Sequence, residues 1–343
     1  MSNQKIDISF CFPVYNVESY LEECVESIIS QNTGDISYEF ICVDDGSKDN
    51  SVALLKELQK KYDFIKIFSN DENMGVSYTR NRTIELASGK YIWFVDPDDM
   101  LYPGVILNMY NEIEKYNENV ILADYVRCNE DAKLSEFIAN DTYTCSVVKT
   151  ADRGYEPKEP NGNHMTAIWC GMFKRSFLIE NDLKFIVGMI AQEDRLFYYD
   201  FDLKTDTILR FYSPCYIYRQ RSTSAMHNKT REQAKKYYRS MRMLYDAYYE
   251  RYVNNQYRDK SILLEKIHHM QQSCTICLAR YPDTKYVKTE LKDMKKNKIY
   301  PYKFRKDTFN SKENILIRLL FFLQPIEPVF WAFHFLSKYL FKR

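Results

Sequence analysis

Three carboxylates fall within four positions at Asp96-Pro97-Asp98-Asp99, directly after the apolar run Tyr91-Ile92-Trp93-Phe94-Val95. Like charges packed that closely repel one another. A divalent cation removes the conflict, because Mg²⁺ or Mn²⁺ takes carboxylate oxygens and keeps positions open for phosphate oxygens. The plainer alternative is that Asp98 or Asp99 caps a helix running from Leu101 onward. A second acid pair lies in Asp44-Asp45-Gly46-Ser47. One carboxylate there can accept from a uracil N–H or from ribose hydroxyls. Its alternative is a simple Asx turn, which Asp-Gly favours. Asn73-Met74-Gly75 comes just before Arg80 and Arg82, which are either donors near a nucleotide or a solvated helix face. Glu193-Asp194 opens a later helix, as a general base or as ordinary N-terminal acids favoured by the helix dipole.

These residues need a frame. The first hundred positions alternate strand and helix in the manner of a parallel sheet. Ile8–Phe12 reads as a strand ended by Pro13, and a helix follows from Val17 to Gln31 with Leu21, Val25, Ile28 and Ile29 on one face. Tyr38–Val43, Ile65–Phe68 and Tyr91–Val95 read as further strands, with helices at Asn50–Tyr62, capped by Ser47 or Asp49, and from Asn73 to Ala87. Pro13–Asn16, Asp44–Ser47, Asn73–Gly75 and Asp96–Asp99 therefore all follow strands at their carboxyl ends. In an open parallel sheet these ends form one crevice, where ligands bind. Beyond them the pattern predicts a helix over Pro103–Tyr116 and a strand over Val120–Val126. A variable loop region over 129–163 lies on the acceptor side, and a strand covers Ile168–Phe173. A helix over Arg195–Asp200 follows the Glu193-Asp194 pair. Ile208–Tyr218 is a strand containing Pro214 and hence an edge. From Arg231 to about Lys298 the chain turns helical and rich in Tyr, Lys and Arg.

Composition narrows the class. The chain has 343 residues, enough for an α/β catalytic domain and an appended element. A net charge of +1 gives no global reason to bind nucleic acid. Nine irregularly spaced Cys argue against a disulfide framework, and residues 1–9 lack the features of a secretory signal, so a reducing cytoplasmic setting is expected. Cys274 and Cys277, with His268 and His269 upstream, read as thiols packing on a helix face rather than zinc ligands. The apolar tail Ile315–Phe341 is broken by Arg318, Gln324, Pro325, Glu327 and Pro328. Each half is too short to span a bilayer. Its aromatic residues and the closing Lys338, Lys342 and Arg343 suit an interfacial helix at the cytoplasmic membrane face. A hairpin packed on the body or in an oligomer is the alternative.

Three segments, FPVYNVESYLEECVESI, ICVDDGSKDNS and NMGVSYTRNRTIELASGKYIWFVDPDD, carry a resemblance to family 2 glycosyltransferases, which have the GT-A fold. It is continuous over about residues 7–103 and resumes at MFKRSFL, QEDRLF and YIYRQRSTSAMH. The resemblance implies an α/β fold with a mostly parallel nucleotide-binding sheet flanked by helices, plus a C-terminal helical extension. It implies a GT-A domain over 1–228, helices over 229–310 and the tail over 311–343. It also implies inverting transfer from a nucleotide-sugar, most simply a UDP-sugar, to a glycan or lipid-linked acceptor in cell-surface polysaccharide synthesis, with Mn²⁺ or Mg²⁺. Pro13, Val14, Tyr15 and Asn16 then line the base pocket. Asp44 with Asp45 meets base or ribose, and Asn73, Gly75 and Arg80 lie near base and diphosphate. Asp96 turns to ribose and sugar, Asp98 to the metal, and Asp99 is a further sugar contact. Asp194 is the base beside Glu193, and Arg195 stands where the family often has an acid. Arg221 or Ser224 touches the diphosphate, and His227 is the third metal ligand. Trp169 either stacks on a sugar ring or packs in the core. A GxGxxG after the first strand is missing, which excludes a dinucleotide fold of the NAD type. A non-catalytic sugar- or nucleotide-binding scaffold is the rival reading, and the C-terminal helices offer an oligomer interface.

Overall fold

A computed structural model describes residues 5–139, 142–150, 167–221, 230–281, 283–297, 299, 330–332 and 334–335. The chain divides into two compact units, one of Met1–Gly188 with Glu193–His227, the other of Met189–Gln192 with Asn228–Arg343.

The first unit is a sheet covered by helices. Its opening run alternates β1 (Ile8–Val14), α1 (Leu21–Ile29), β2 (Tyr38–Asp44), α2 (Ser51–Lys61), β3 (Ile65–Ser69), α3 (Val76–Leu86) and β4 (Tyr91–Phe94). These four strands are parallel, in the order β3-β2-β1-β4. Phe10 of β1 is in register with Phe40 of β2 and Trp93 of β4, and its ring lies 5.6 Å from Phe40 and 5.8 Å from Trp93. Strands covered on both faces are apolar throughout, which is why these read as runs rather than alternations. β1 continues through Pro13, contrary to expectation. β4 pairs with β1 only as far as Cys11, so no ladder bond is asked of Pro13 on that side.

The second half of this unit is built from shorter and mixed strands. β5 (Met100–Leu101), α4 (Val105–Tyr116), β6 (Val120–Asn129), β7 (Cys145–Lys149), β8 (Gly171–Lys174), α5 (Arg175–Glu180), α6 (Glu193–Lys204) and β9 (Thr207–Gln220) follow in turn. β8 runs antiparallel between β4 and β6, and β9 runs parallel to β6. β9 is not an edge strand. On its other side it pairs with β7 over Thr207–Phe211 and with β5 over Tyr216–Ile217. Pro214 falls between those two partners, opposite Asp124, where the β6–β9 register shifts. The missing N–H thus sits at a changeover, where it costs least. The region expected as loop over 129–163 contributes β7. A helix running from Leu101, the alternative in which Asp98 or Asp99 is its cap, does not form. Met100 and Leu101 pair with β9, and α4 starts at Val105 after a left-handed Gly104, so Asp98 and Asp99 cap no helix.

The second unit contains α7 (Arg231–Val253), α8 (Lys260–Arg280) and α9 (Thr284–Lys296). Thr230, Asp259 and Asp283 cap them by accepting from Gln233, Ser261 and Lys285 N–H groups. Leu244, Leu263, Cys274, Leu278 and Val287 are fully buried or nearly so, and the Cys274 and Cys277 thiols are free. Most of the apolar tail lies outside the described residues. Its described turn is packed down, with Phe330 and His334 buried. His334 Nδ1 is 3.1 Å from the Ala279 carbonyl and Nε2 is 3.2 Å from Thr284 Oγ1. Among the described residues no helix is long and apolar enough to cross a membrane.

Gly171 gives a test of this packing. A Cβ there would overlap the Ile121 carbonyl oxygen on the neighbouring strand. Gly171→Ala should lower the stability of the first unit by about 3 kcal/mol, read as a reduced urea midpoint. An unchanged midpoint would contradict the β6–β8 pairing.

Candidate active site

Arg80 lies on the buried face of α3 and is 3% exposed. Its Nη2 donates to Asp96 Oδ1 at 2.8 Å, just past the end of β4. Its Nη1 donates to Glu193 Oε1 at 2.8 Å and Asp194 Oδ1 at 3.0 Å, both in the first turn of α6. The guanidinium rests over the Phe185 ring at 5.5 Å. Phe185 is pinned in turn by Asn81, whose amide exchanges two 2.8 Å bonds with the Phe185 backbone. One cation thus joins three acids from segments about a hundred residues apart. Burial opposes its charge, but the three carboxylates hold its pKa above the ordinary arginine value. Burial pushes the Asp194 carboxyl up to about 7, with the charges of Glu193 and Asp96 adding to it. Arg80 and the Ile168 N–H pull the other way. That N–H donates to Asp194 Oδ2 at 3.2 Å, so both carboxylate oxygens are oriented.

The Asp96–Asp99 segment is held from β9. The Asp96 N–H donates to Tyr216 Oη at 3.0 Å, and the Arg219 N–H donates to Asp99 Oδ1 at 2.7 Å. Arg219, 3% exposed, donates from Nε to the Asp98 carbonyl, from Nη1 to those of Glu130 and Ala132, and from Nη2 to Glu23 Oε2 at 2.9 Å. Two positions on, Arg221 Nη2 pairs with Asp98 Oδ2 at 2.7 Å. Burial raises Asp98, with Arg221 lowering it and Asp96 raising it. Burial raises Asp99 much further, and the charges of Asp98 and Asp96 add to that. Tyr216, Arg219, Tyr20 and Glu23 were not singled out from sequence. The available signal was Arg219 and Arg221 at i and i+2, which share one side of a strand.

The remaining expected residues are placed as follows. Asp45 is buried and spent on the chain. Its Oδ1 accepts from Met74 N–H at 2.8 Å and Asn70 Nδ2 at 2.7 Å, and its Oδ2 from Gly75 N–H at 2.8 Å. Asp44 accepts from the Gly46 and Ser47 N–H groups at 3.2 and 3.1 Å, forming an Asx turn. Asn16, at φ 51°, accepts from Lys48 N–H at 2.8 Å. Pro13 and Val14 end β1, while the Tyr15 ring is 43% exposed and Asn73 is exposed. Gly75 has φ 85° and open space where a Cβ would stand. Trp169 is 8% exposed and stacks on Tyr216 at 4.3 Å and Tyr218 at 5.6 Å, so its ring belongs to an aromatic column. Ser224 and His227 lie outside the described residues. Arg82 is bound to the Ser69 carbonyl and Asn70 Oδ1, and it lines an open cleft of about 570 Å³ that contains none of the acid cluster.

Among the described residues no three His, Cys, Asp or Glu side chains are grouped to hold an ion. A cation that shares its ligands with a diphosphate takes only one or two carboxylates from protein. Asp98 fits that donor set, because its carboxylate is partly exposed within the acidic run Asp96–Asp99 and its ion-pair partner is Arg221.

Residues 9–182 match the model of the family described as Glycosyl transferase family 2. The chain is 31% identical over 199 residues to the uncharacterized glycosyltransferase YibD of Escherichia coli, covering 56% of each protein. It is 30% identical over 205 residues to the poly(ribitol-phosphate) beta-glucosyltransferase of Bacillus spizizenii, which spans 59% of this chain and 30% of that protein. The chain therefore spans about half or less of the length of these relatives. Among solved structures, S. aureus TarS 1-349 in complex with UDP-GlcNAc superposes with a TM-score of 0.60 over 81% of either chain, at 18% identity. That likeness shows the GT-A fold.

Replacing Arg80 by Met would leave three carboxylates facing one another. The loss of stability should be about 3 to 5 kcal/mol near pH 8. It should shrink near pH 5, where carboxyls raised by burial and mutual repulsion take up protons. Urea unfolding at the two pH values measures this, and an equal loss at both would refute the electrostatic account.

Proposed function

The chain belongs to glycosyl transferase family 2, and on that premise we propose that it moves a sugar from a nucleoside diphosphate to an acceptor hydroxyl with inversion. The observation that carries this reading is the Arg80 cluster, where Asp194 and Asp96 share one guanidinium. Asp194 takes the proton of the acceptor hydroxyl as its oxygen bonds to the anomeric carbon and the bond to the diphosphate breaks. A pKa near neutrality suits a base that must be ionised yet still accept a proton. Glu193 keeps Arg80 occupied and raises Asp194 through its charge. Arg221 is the partly exposed cation at hand for the diphosphate, which gains charge as it leaves, and Arg80 is assigned near it behind the acids it holds. Mn²⁺ or Mg²⁺ bound through Asp98, with His227 as a further ligand, would add Lewis-acid stabilisation of that group. Asp96 and Asp99 are assigned to ribose and sugar, and Ser224, outside the described residues, is assigned with Arg221 to the diphosphate. Trp169 serves the sugar pocket through the column it shares with Tyr218.

The nucleoside is assigned to the turn region of Pro13–Asn16, Asp44, Asn73 and Gly75. There Asp45 shapes the pocket by fixing the Met74 and Gly75 N–H groups. UDP-GlcNAc in the complex of a similarly folded protein supports a UDP-sugar donor. The poly(ribitol-phosphate) in the name of the Bacillus spizizenii relative supports a polymer acceptor, and a lipid-linked acceptor in cell-surface polysaccharide synthesis is retained beside it. We also retain the division at about residues 228 and 310. The tail is assigned to contact with the cytoplasmic membrane face, and the helices to an oligomer interface.

Asp194→Asn should keep UDP binding in the presence of Mn²⁺ and lose at least about a hundredfold in kcat. In the unaltered protein, kcat/KM should fall as pH drops through about 7, where the base is protonated. Normal turnover by the variant would reject the assignment of the base. A scaffold would tolerate Asp98→Asn as well. Deleting residues 312–343 should release the protein from membranes, and an unchanged membrane fraction would reject the role given to the tail.

A further inference from the structure

We propose that Arg221 is the resident counter-charge of Asp98 in the donor-free protein and leaves it for the diphosphate on donor binding, so that binding of a divalent cation is coupled to that of the nucleotide. The inference rests on the reading of Asp98 as the carboxylate that holds the cation.

Two arginines stand side by side here and differ in how they are held. Arg219 is spread over three backbone carbonyls and Glu23, with its side chain 2% exposed. It is a fixed part of the wall. Arg221 has one carboxylate partner among the described residues, Asp98 at 2.7 Å, and both side chains are 21% exposed. Solvent reaches both partners, so this pair can exchange. Both guanidiniums also lie over the Tyr20 ring, Arg219 at 5.4 Å and Arg221 at 5.3 Å. Tyr20 is itself tied to Glu130 through its hydroxyl at 2.7 Å. The ring therefore forms a seat that parks Arg221 beside the carboxylate.

The carboxylate of Asp98 cannot serve the guanidinium and a divalent ion together without setting two cations against each other at short range. In the donor-free state Arg221 competes with the ion. A nucleoside diphosphate removes the competition, since its oxygens match the planar fork of an arginine better than one shared carboxylate does. Arg221 then shifts by one partner while Arg219 stays put, and the freed carboxylate becomes available. Coupling of this kind is reciprocal, so the ion must strengthen nucleotide binding by the same factor. The consequence is a site that resists loading with stray ions and fills when the diphosphate arrives.

The test is calorimetric titration of the full chain with Mn²⁺ alone, and with Mn²⁺ in the presence of UDP. The unaltered protein should bind Mn²⁺ weakly, and UDP should tighten it by about tenfold or more. Arg221→Gln should bind Mn²⁺ alone about five- to tenfold tighter than the unaltered protein, the scale of a partly exposed ion pair, and its coupling to UDP should shrink accordingly. Tyr20→Leu should move Mn²⁺ affinity in the same direction by a smaller factor, and Asp98→Asn should erase the gain. Equal Mn²⁺ affinity of the unaltered protein and Arg221→Gln without UDP would overturn the proposal while leaving the cation site standing. Failure of both to bind Mn²⁺ even with UDP would remove the cation site and this proposal together.

Discussion

A single guanidinium carries three carboxylates, and the rest of the first unit is arranged so that it can. Buried carboxylates from three segments repel unless a cation stands between them, and an uncompensated buried charge is among the most expensive defects a core can hold. Arg80 meets that requirement only if α3 follows β3 at one angle, β4 ends level with it, and α6 begins opposite. The glycine at position 75, the Asp45 bonds to the turn before α3 and the Asn81 bonds to Phe185 all serve that alignment. Charge neutrality at the site is thus a folding constraint as much as a catalytic one. Burial, with the charges of Glu193 and Asp96 adding to it, lifts Asp194 toward neutrality.

A second cation does comparable work on the other side of the acidic segment. Arg219 bonds the Glu130 and Ala132 carbonyls just past the end of β6, and its own N–H holds Asp99. Buried backbone oxygens need partners, and a long strand such as β9 can deliver one side chain to several of them. The two arginines differ in purpose. Arg80 gathers the side chains of Asp96, Glu193 and Asp194, whereas Arg219 holds the Asp98 carbonyl and the Asp99 carboxylate.

The parallel half of the fold was legible because strands covered on both faces must be apolar. β1, β2 and β4 stand out as apolar runs, and the polar turns after them are where chemistry gathers. Two short strands of the mixed half, β5 and β7, were not legible. β5 has two residues and β7 five, and neither carries enough alternation to register against its surroundings. Pro214 pointed to an edge because a proline in a strand usually does, and only the gap between β7 and β5 explains its interior place. In the site, residue types announced the acids and Arg80. What they could not announce was allegiance: Asp45 belongs to a turn and Asp194 to an arginine. Tyr216 and Arg219 act through backbone atoms, whose needs leave no mark on composition. Trp169 was open between sugar and core, and stacking with Tyr216 and Tyr218 shows how an aromatic residue can serve packing at the rim of a site.

The interruption at Pro214 divides one strand into two tenancies. Both stretches pair with β6, but on the other side the forward stretch answers to β5 and the acidic segment and the rear stretch to β7. Insertions and losses around β7 can therefore be absorbed behind the proline without retuning the forward register. A lineage built on this plan can redraw the surface around β7 while the register that holds the acidic segment stays untouched.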